Sequence, residues 1–162
     1  MKYIVATMLL FIAKSAFAGG WLGDSNSATG FSNSGSGIIS LSCDDGPSMV
    51  VATANELTKV TLGGNQRAPI TVYFPGAEFQ LDFVSVEFGT PDDGEGSTFA
   101  YGVKGAYPDE GGFRPMFYDM TALMGVESEL YLASLDPNTG QLAVFSVFSL
   151  DGAAEAIEAA GC

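Results

Sequence analysis

Histidine is missing from this chain of 162 residues, and several kinds of catalytic chemistry are excluded with it. Ser-His-Asp and Cys-His nucleophilic sites, imidazole general bases and histidine-ligated zinc or copper sites all require that side chain. The sequence also contains no G-x-S-x-G nucleophile elbow and no G-x-x-x-x-G-K-[ST] phosphate loop. Two carboxylates can still hydrolyse a glycosidic bond, but no pair stands out among the 19 acidic residues. We therefore expect a non-enzymatic protein without catalytic residues, with a carboxylate-pair hydrolase acting on a glycan as the alternative.

Apolar runs long enough to span a membrane are missing too, and the first residues have the pattern of a secretory signal instead. Lys2 provides a positive start, residues 3–13 an apolar stretch, and Ala16-Phe17-Ala18 a small-x-small cleavage site. The apolar stretch has about half of the roughly 20 residues needed to cross a bilayer. We predict a signal peptide over residues 1–18, a mature chain from Gly19, and periplasmic or secreted localisation without stable membrane insertion after cleavage.

Positive charge is scarce, because six Lys and Arg stand against 19 Asp and Glu, for a net charge of −13. Lys2 and Lys14 would leave with the signal peptide, so the mature chain would keep four basic residues and carry a net charge of −15. A field of this sign repels nucleic acid and anionic membrane surfaces. We expect no nucleic-acid partner and an acidic surface that favours solubility.

Cysteine occurs only at Cys43 and Cys162. An even pair in a chain sent to an oxidising compartment favours a disulfide between them, with two buried free thiols as the alternative. In "IISLSC" the residues Ile39, Leu41 and Cys43 alternate with two serines, and this period of two places Cys43 on the core side of a strand.

Residues 19–37 are rich in Gly, Ser and Asn and contain the isolated aromatic residues Trp21 and Phe31. This composition rarely offsets the entropy of ordering by itself. We predict a flexible lead-in over residues 19–37 whose aromatics dock on the domain, with a peptide-presenting arm as the alternative. The folded domain is then expected over residues 38–162.

The rest of the chain reads as short β-branched and aromatic runs separated by turn residues, which predicts many strands. In "FQLDFVSVEF" the apolar residues alternate on one face up to Phe83 and continue on the other face from Val84. A β-bulge near Phe83, or a strand that crosses from one sheet to the next, would explain this switch. The run "QLAVFSVFSL" is apolar on both faces and is expected to lie centrally, covered on each side.

Helical patterns are short and lie late in the chain. "DMTALMG" suits one or two turns that begin at Asp119 and stop at Gly125. Beyond Asp151, a candidate cap, an apolar stripe recurs at helical spacing and ends before Gly161, which suits a left-handed exit. The stripe consists of Ala153, Ala156, Ile157 and Ala160. Together these patterns predict an all-β fold, an antiparallel β-sandwich with a short C-terminal α-helix.

Three acidic turns are candidates for a hard cation such as calcium, which prefers clustered carboxylate oxygens. They are Asp44-Asp45-Gly46, Asp92-Asp93-Gly94-Glu95 and Asp109-Glu110-Gly111. None fits the twelve-residue EF-hand loop, and Asp before Gly is ordinary turn chemistry. We therefore predict no metal and no cofactor, and name Asp92, Asp93 and Glu95 as the candidates should calcium bind.

A cluster of aromatic residues surrounds an arginine between residues 107 and 118. Its members are Tyr107, Phe113, Arg114, Phe117 and Tyr118. Aromatic side chains beside an arginine are typical anchors of a binding surface, here for another protein or a glycan. The alternative is that they cover the edge of the sandwich.

The closing "FSLDGAAEAIEAAGC", together with the signal peptide and the early strand cysteine, resembles the invasion-associated locus B family of small secreted alphaproteobacterial proteins. The resemblance covers mainly residues 129–162. It implies a periplasmic β-sandwich whose last strand runs through an F-x-L-x-G motif, Phe148 to Gly152, into an Ala-rich helix, and it brings no catalytic residues. We therefore expect an exported, non-enzymatic binding or envelope-associated protein with a protein or glycan partner in the cell envelope.

Overall fold

A computed structural model describes residues 20–44, 46–86, 99–104 and 112–162 of the chain. The elements in these residues are β1 (Trp21–Gly23), β2 (Ala28–Phe31), β3 (Gly37–Ser42), β4 (Ser48–Thr53), β5 (Val60–Leu62), β6 (Asn65–Phe74), β7 (Ala77–Val86), β8 (Phe99–Lys104), α1 (Phe113–Met124), β9 (Glu129–Leu135), β10 (Leu142–Ser149) and α2 (Ala153–Ala159).

The strands join into one antiparallel, hydrogen-bonded path with the order β1-β2-β3-β4-β8-β7-β6-β9-β10, and β5 pairs with β6 beside that path. The predicted all-β class is confirmed. A β-sandwich is not confirmed, because the described strands form a single curled sheet. Among the described residues, no helix has the length and apolar character to cross a membrane.

The strand β7 links the two halves of this sheet. It pairs with β6 as far as Phe83, which lies opposite Ala68, and with β8 from Val84, which lies opposite Gly102. Each register runs without a shift, so the change of face at Phe83 marks a strand that passes from one group of strands to the other. Of the two predicted explanations, the β-bulge is not observed, and the strand changes its pairing partner within a single sheet rather than crossing between two sheets.

The two ends of the sheet meet, and this contact curls the sheet around its core. The indole Nε1 of Trp21 on β1 donates a hydrogen bond to the carbonyl oxygen of Ser149 on β10, at 2.8 Å. The backbone N–H of Asn33 donates to the carbonyl oxygen of Val147 at 2.8 Å, and the N–H of Ser149 donates to Asn33 Oδ1 at 2.9 Å. These bonds join residues more than 100 positions apart in sequence.

The predicted flexible lead-in is wrong, because residues 20–37 supply β1 and β2 and the start of β3. Trp21 is only 9% exposed. The glycines there permit close packing rather than freedom: a Cβ at Gly23 would lie 2.5 Å from the carbonyl oxygen of Ala156, and one at Gly30 would lie 2.7 Å from the Trp21 ring. Composition could not distinguish these two uses of glycine.

The helix α1 begins at Phe113, six residues before the predicted cap Asp119, and it follows Gly112 in the left-handed conformation with φ 62°. No side chain caps its first turn. Gly125 follows the last helical residue, as predicted. The start was missed because a backbone conformation that glycine adopts, rather than an acidic cap, starts the helix.

The strand β10 lies at the end of the sheet path and not at its centre, so the predicted central position is wrong. Leu142 is 45% exposed and Val144 is 54% exposed. The inward-facing residues Ser146 and Phe148 of β10 are buried. The register of β10 with β9 shifts between Val144 and Ser146. Apolar residues on both faces of a strand do not require that both faces are covered. The sequence pattern therefore did not show that β10 is the last strand of the sheet path.

The C-terminal helix α2 packs on β1 and β2, and its buried face is the predicted stripe. A disulfide joins Cys43, just after β3, to Cys162, with the two Cα atoms 5.5 Å apart, as predicted. Gly161 has φ 72°, the expected left-handed exit. Asp151 does not cap the helix, because Gly152 occupies the cap position with φ 81° and no side-chain bond is made there.

Candidate binding surfaces

The helix α1 carries four of the five predicted interaction residues, and its phase divides them into two pairs. Phe113 is 8% exposed and Phe117 is 0% exposed, with ring centroids 5.7 Å apart. Residues at i and i+4 share a helix face, and this face continues into Met120 and Met124, which are each 1% exposed. Phe113 and Phe117 therefore anchor α1 in the core and are not surface contacts.

Arg114 and Tyr118 form the outward pair on α1, again at i and i+4. Tyr118 is 43% exposed, and its ring stands edge-on to the buried Phe117 ring at 5.7 Å and 86°. The core thus fixes the direction of the phenol while its outer part meets water. The fifth candidate, Tyr107, lies outside the described residues.

A second aromatic surface, which the sequence reasoning did not identify, lies on the outward face of the sheet. Tyr73 on β6 and Tyr131 on β9 are directly opposite each other, and Glu78 on β7 is the next residue in the same cross-strand row. Both tyrosines are half-buried. The sequence does contain one indication that the two tyrosines face outward, because each lies between two buried apolar residues of its own strand.

The phenol of Tyr131 donates a hydrogen bond to the Glu129 carboxylate at 2.5 Å. This hydrogen bond is the main reason that the pKa of Tyr131 lies above its usual value. The hydrogen bond ties the outer end of the Tyr131 side chain to Glu129, two residues earlier on the same strand. The row offers two adjacent aromatic side chains, and Glu129 beside it adds a carboxylate, a group that accepts hydrogen bonds from hydroxyls.

The predicted calcium candidates Asp92, Asp93 and Glu95 lie outside the described residues. Within the described ranges, no group of three or more Asp, Glu, His or Cys side chains could hold a metal ion. Two described aspartates, Asp24 and Asp136, hold turns instead. Oδ1 of Asp24 accepts hydrogen bonds from the N–H groups of Asn26 and Ser27, and Oδ1 of Asp136 accepts them from Asn138 and Thr139.

Shallow concavities occur on the described surface, and two of them bear on the candidate functions. One, of about 280 Å³, lies at the edge of β10 and is lined by Asn33, Ser34 and residues 144–147. The other, of about 390 Å³, lies between β1 and α2 and includes Glu155. Neither brings two carboxylates together, which is the arrangement that a carboxylate-pair hydrolase requires.

The fold and these surfaces define a disulfide-closed, antiparallel β protein that presents ordered aromatic side chains to solvent. No family model, no curated protein and no solved structure matches the chain.

Proposed function

We propose that this chain is an exported, non-enzymatic binding protein of the periplasm or the extracellular space, associated with the cell envelope. The observation that carries the proposed binding role is the outward Arg114–Tyr118 pair on a helix whose opposite face is fixed in the core. The Cys43–Cys162 disulfide supports export, because such bonds persist in oxidising compartments. The signal-like residues 1–18 support it independently.

The Arg114–Tyr118 pair suits a protein partner. Arginine and tyrosine are enriched among the few residues that carry most of the binding energy in interfaces, since each combines apolar area with directed polar groups. A guanidinium also pairs with carboxylates in two-point geometry. In a chain with a net charge of −13, an exposed arginine is a distinctive local feature. Edge-on packing of Tyr118 against Phe117 lowers the entropy that the ring loses on binding.

The test is crosslinking capture of envelope proteins by the mature chain and by single variants. Arg114→Ala and Tyr118→Ala are each expected to weaken capture by tenfold or more, since truncation of an interface anchor typically costs at least about 1–2 kcal/mol. Arg67→Ala on β6 is the matched control, because it removes the same charge elsewhere. Melting temperatures within a few degrees of wild type must accompany the loss. Equal capture by the Arg114 and Arg67 variants contradicts the proposal.

The Tyr73–Tyr131 row favours a second candidate, in which the partner is a glycan. Adjacent aromatic rings on the outward sheet face offer apolar area to the C–H face of a sugar, and Glu129 and Glu78 offer acceptors to its hydroxyls. Pull-down on insoluble envelope glycans separates the two candidates. Tyr131→Ala should abolish retention and Arg114→Ala should leave it intact if the sheet face binds, and the reverse pattern assigns binding to α1.

A further inference from the structure

The two longest uncharged stretches of this acidic chain lie side by side in the fold. Residues 25–43 and residues 137–150 contain no Asp, Glu, Lys or Arg. They meet where the ends of the sheet meet, through the Asn33 bonds to Val147 and Ser149. Gly37 lies so close to Ser146 that a Cβ there would be 2.3 Å from the serine Oγ. The result is a seam of uncharged residues on a strongly negative protein.

The edge of β10 at this seam is only partly occupied. One side of the strand pairs with β9 along its length. On the other side, Asn33 engages Val147 and Ser149, near the end of the strand. Among the described residues, nothing pairs with residues 142–144 on that side, and Leu142 and Val144 are about half exposed. The concavity of about 280 Å³ lies directly beside this open stretch.

We propose that a second copy of this chain docks on the open stretch of β10, with residues 142–144 of both copies paired antiparallel about a two-fold axis. An edge strand is complementary to itself in this arrangement, because each copy offers the donors that the other accepts. Leu142 and Val144 would then meet the same residues of the other copy and leave water. The register shift before Ser146 confines the pairing to this short stretch.

Electrostatics selects a second copy over a partner of another kind. Two copies that each carry about −15 after signal removal repel each other wherever acidic residues face, so they can approach closely only along an uncharged strip. A cationic partner would instead be drawn to the acidic faces. Since the remaining repulsion is screened by salt, with a Debye length that falls from about 10 Å at 0.1 M to about 3 Å at 1 M, the dimer should tighten as salt rises.

The experiment measures the mass of the oxidised mature chain, residues 19–162, by sedimentation equilibrium over a concentration series at low and high salt. Wild type is expected to form a dimer whose dissociation constant falls at high salt. Val144→Lys should weaken it by tenfold or more, because a lysine on an edge strand opposes strand pairing. Val126→Lys is the matched control: Val126 is 78% exposed in the turn after α1, and the charge change is identical.

Both variants are checked by their melting temperatures, and Leu142→Lys replaces Val144→Lys if that variant does not fold. Loss of the dimer in the β10 variant with a wild-type result for Val126→Lys supports the proposal. A wild-type chain that stays monomeric up to about 1 mM overturns it, since no stable dimer is that weak. Equal dimerisation of the two lysine variants overturns it as well.

Discussion

Residues 20–37 and residues 153–161 both consist largely of small residues, and they pack against each other in the fold. The packing could be predicted from the sequence for the second segment but not for the first. The alanine segment repeats apolar positions at helical spacing, so its buried face was predicted correctly. The Gly, Ser and Asn segment has no such period and was predicted to be flexible. A periodic apolar pattern indicates which face of an element is buried. A glycine indicates only that a Cβ is missing, which suits both a flexible segment and a closely packed one.

The contact between these regions explains the glycines. The Gly23 position faces the backbone of Ala156, with a Cβ there only 2.6 Å from the Ala156 Cα. Alanine on α2 and glycine on β1 together allow the helix backbone to lie directly on the strand. The disulfide then holds Cys162, just after α2, beside Cys43 at the end of β3. The first strands and the last helix therefore form one packed unit.

The largest expected effect comes from removing the disulfide, which would release the helical half of this unit. Cysteines separated by 119 positions close a long loop, and loop entropy assigns such a closure about 4–5 kcal/mol as an upper figure. Cys162→Ser should therefore lower the melting temperature by roughly 10 °C. Hydrogen exchange should rise first in α2, because a helix of 7 residues is marginal by itself.

The double variant Cys43→Ser/Cys162→Ser serves as the control for this prediction. Either single change already removes the bond, so the double variant should match Cys162→Ser in melting temperature. Unchanged protection of α2 in both would mean that its contacts with β1 and β2 suffice to hold it.

Much of this unit could be predicted from the sequence, because its signals are local. The alternation in "IISLSC" correctly placed Ile39 and Leu41 in the core, where both are 0% exposed. The end position of β10 depends on which strands pair across long distances, and no local pattern encodes that choice. The residues of the F-x-L-x-G motif have places in the fold: Phe148 is fully buried, and Gly152 occupies the cap position before α2.

The candidate sites were predicted less well, for two physical reasons. The helix was expected to start at Asp119, so residues 113–118 were not assigned to a helix and their inward and outward faces could not be predicted. With a start at Phe113, the inward spacing of Phe113, Phe117 and Met120 follows directly, and Arg114 and Tyr118 turn outward. The Tyr73–Tyr131 row was missed because their adjacency requires knowing that β6 pairs with β9.

A smaller but still clear effect is expected from a methyl group at the interface of the two regions. Gly23→Ala places a Cβ against helix backbone that has no side chain to move aside, and overpacking of this kind costs about 1–3 kcal/mol. Chemical denaturation should show the loss. Gly125→Ala is the matched control, because its Cβ would lie 3.4 Å from its nearest neighbour atom, an ordinary contact. Equal stability of the two variants would show that α2 can shift outward freely.

The chain's single tryptophan allows the N-terminal region to be tested by fluorescence in the unsubstituted protein. Trp21 is 9% exposed and its indole is bonded to Ser149, so native fluorescence should be blue-shifted and resist quenching by acrylamide. A flexible lead-in would instead give red-shifted, readily quenched emission. Trp21→Phe should then cost about 1 kcal/mol or somewhat more, since it removes the hydrogen bond to the Ser149 carbonyl.

The smallest expected effect concerns acid, at the turn between β9 and β10 in the C-terminal region. Hydrogen bonds from the N–H groups of Asn138 and Thr139 hold the pKa of Asp136 below its usual value. Because the folded pKa is depressed, this carboxylate stabilises the fold above its unfolded pKa, near 4. That contribution is lost as the pH falls through the lower, folded value. Asp136→Asn keeps an acceptor oxygen for the turn but cannot titrate, so it should flatten the pH dependence of unfolding below pH 4 and lose the small contribution of the charge at pH 7. Asp151→Asn is the control, because it removes the same charge without touching a helix cap. The effect is small because Asp136 is partly exposed to solvent, and identical slopes in the two variants would mean that the turn gains nothing from its charge.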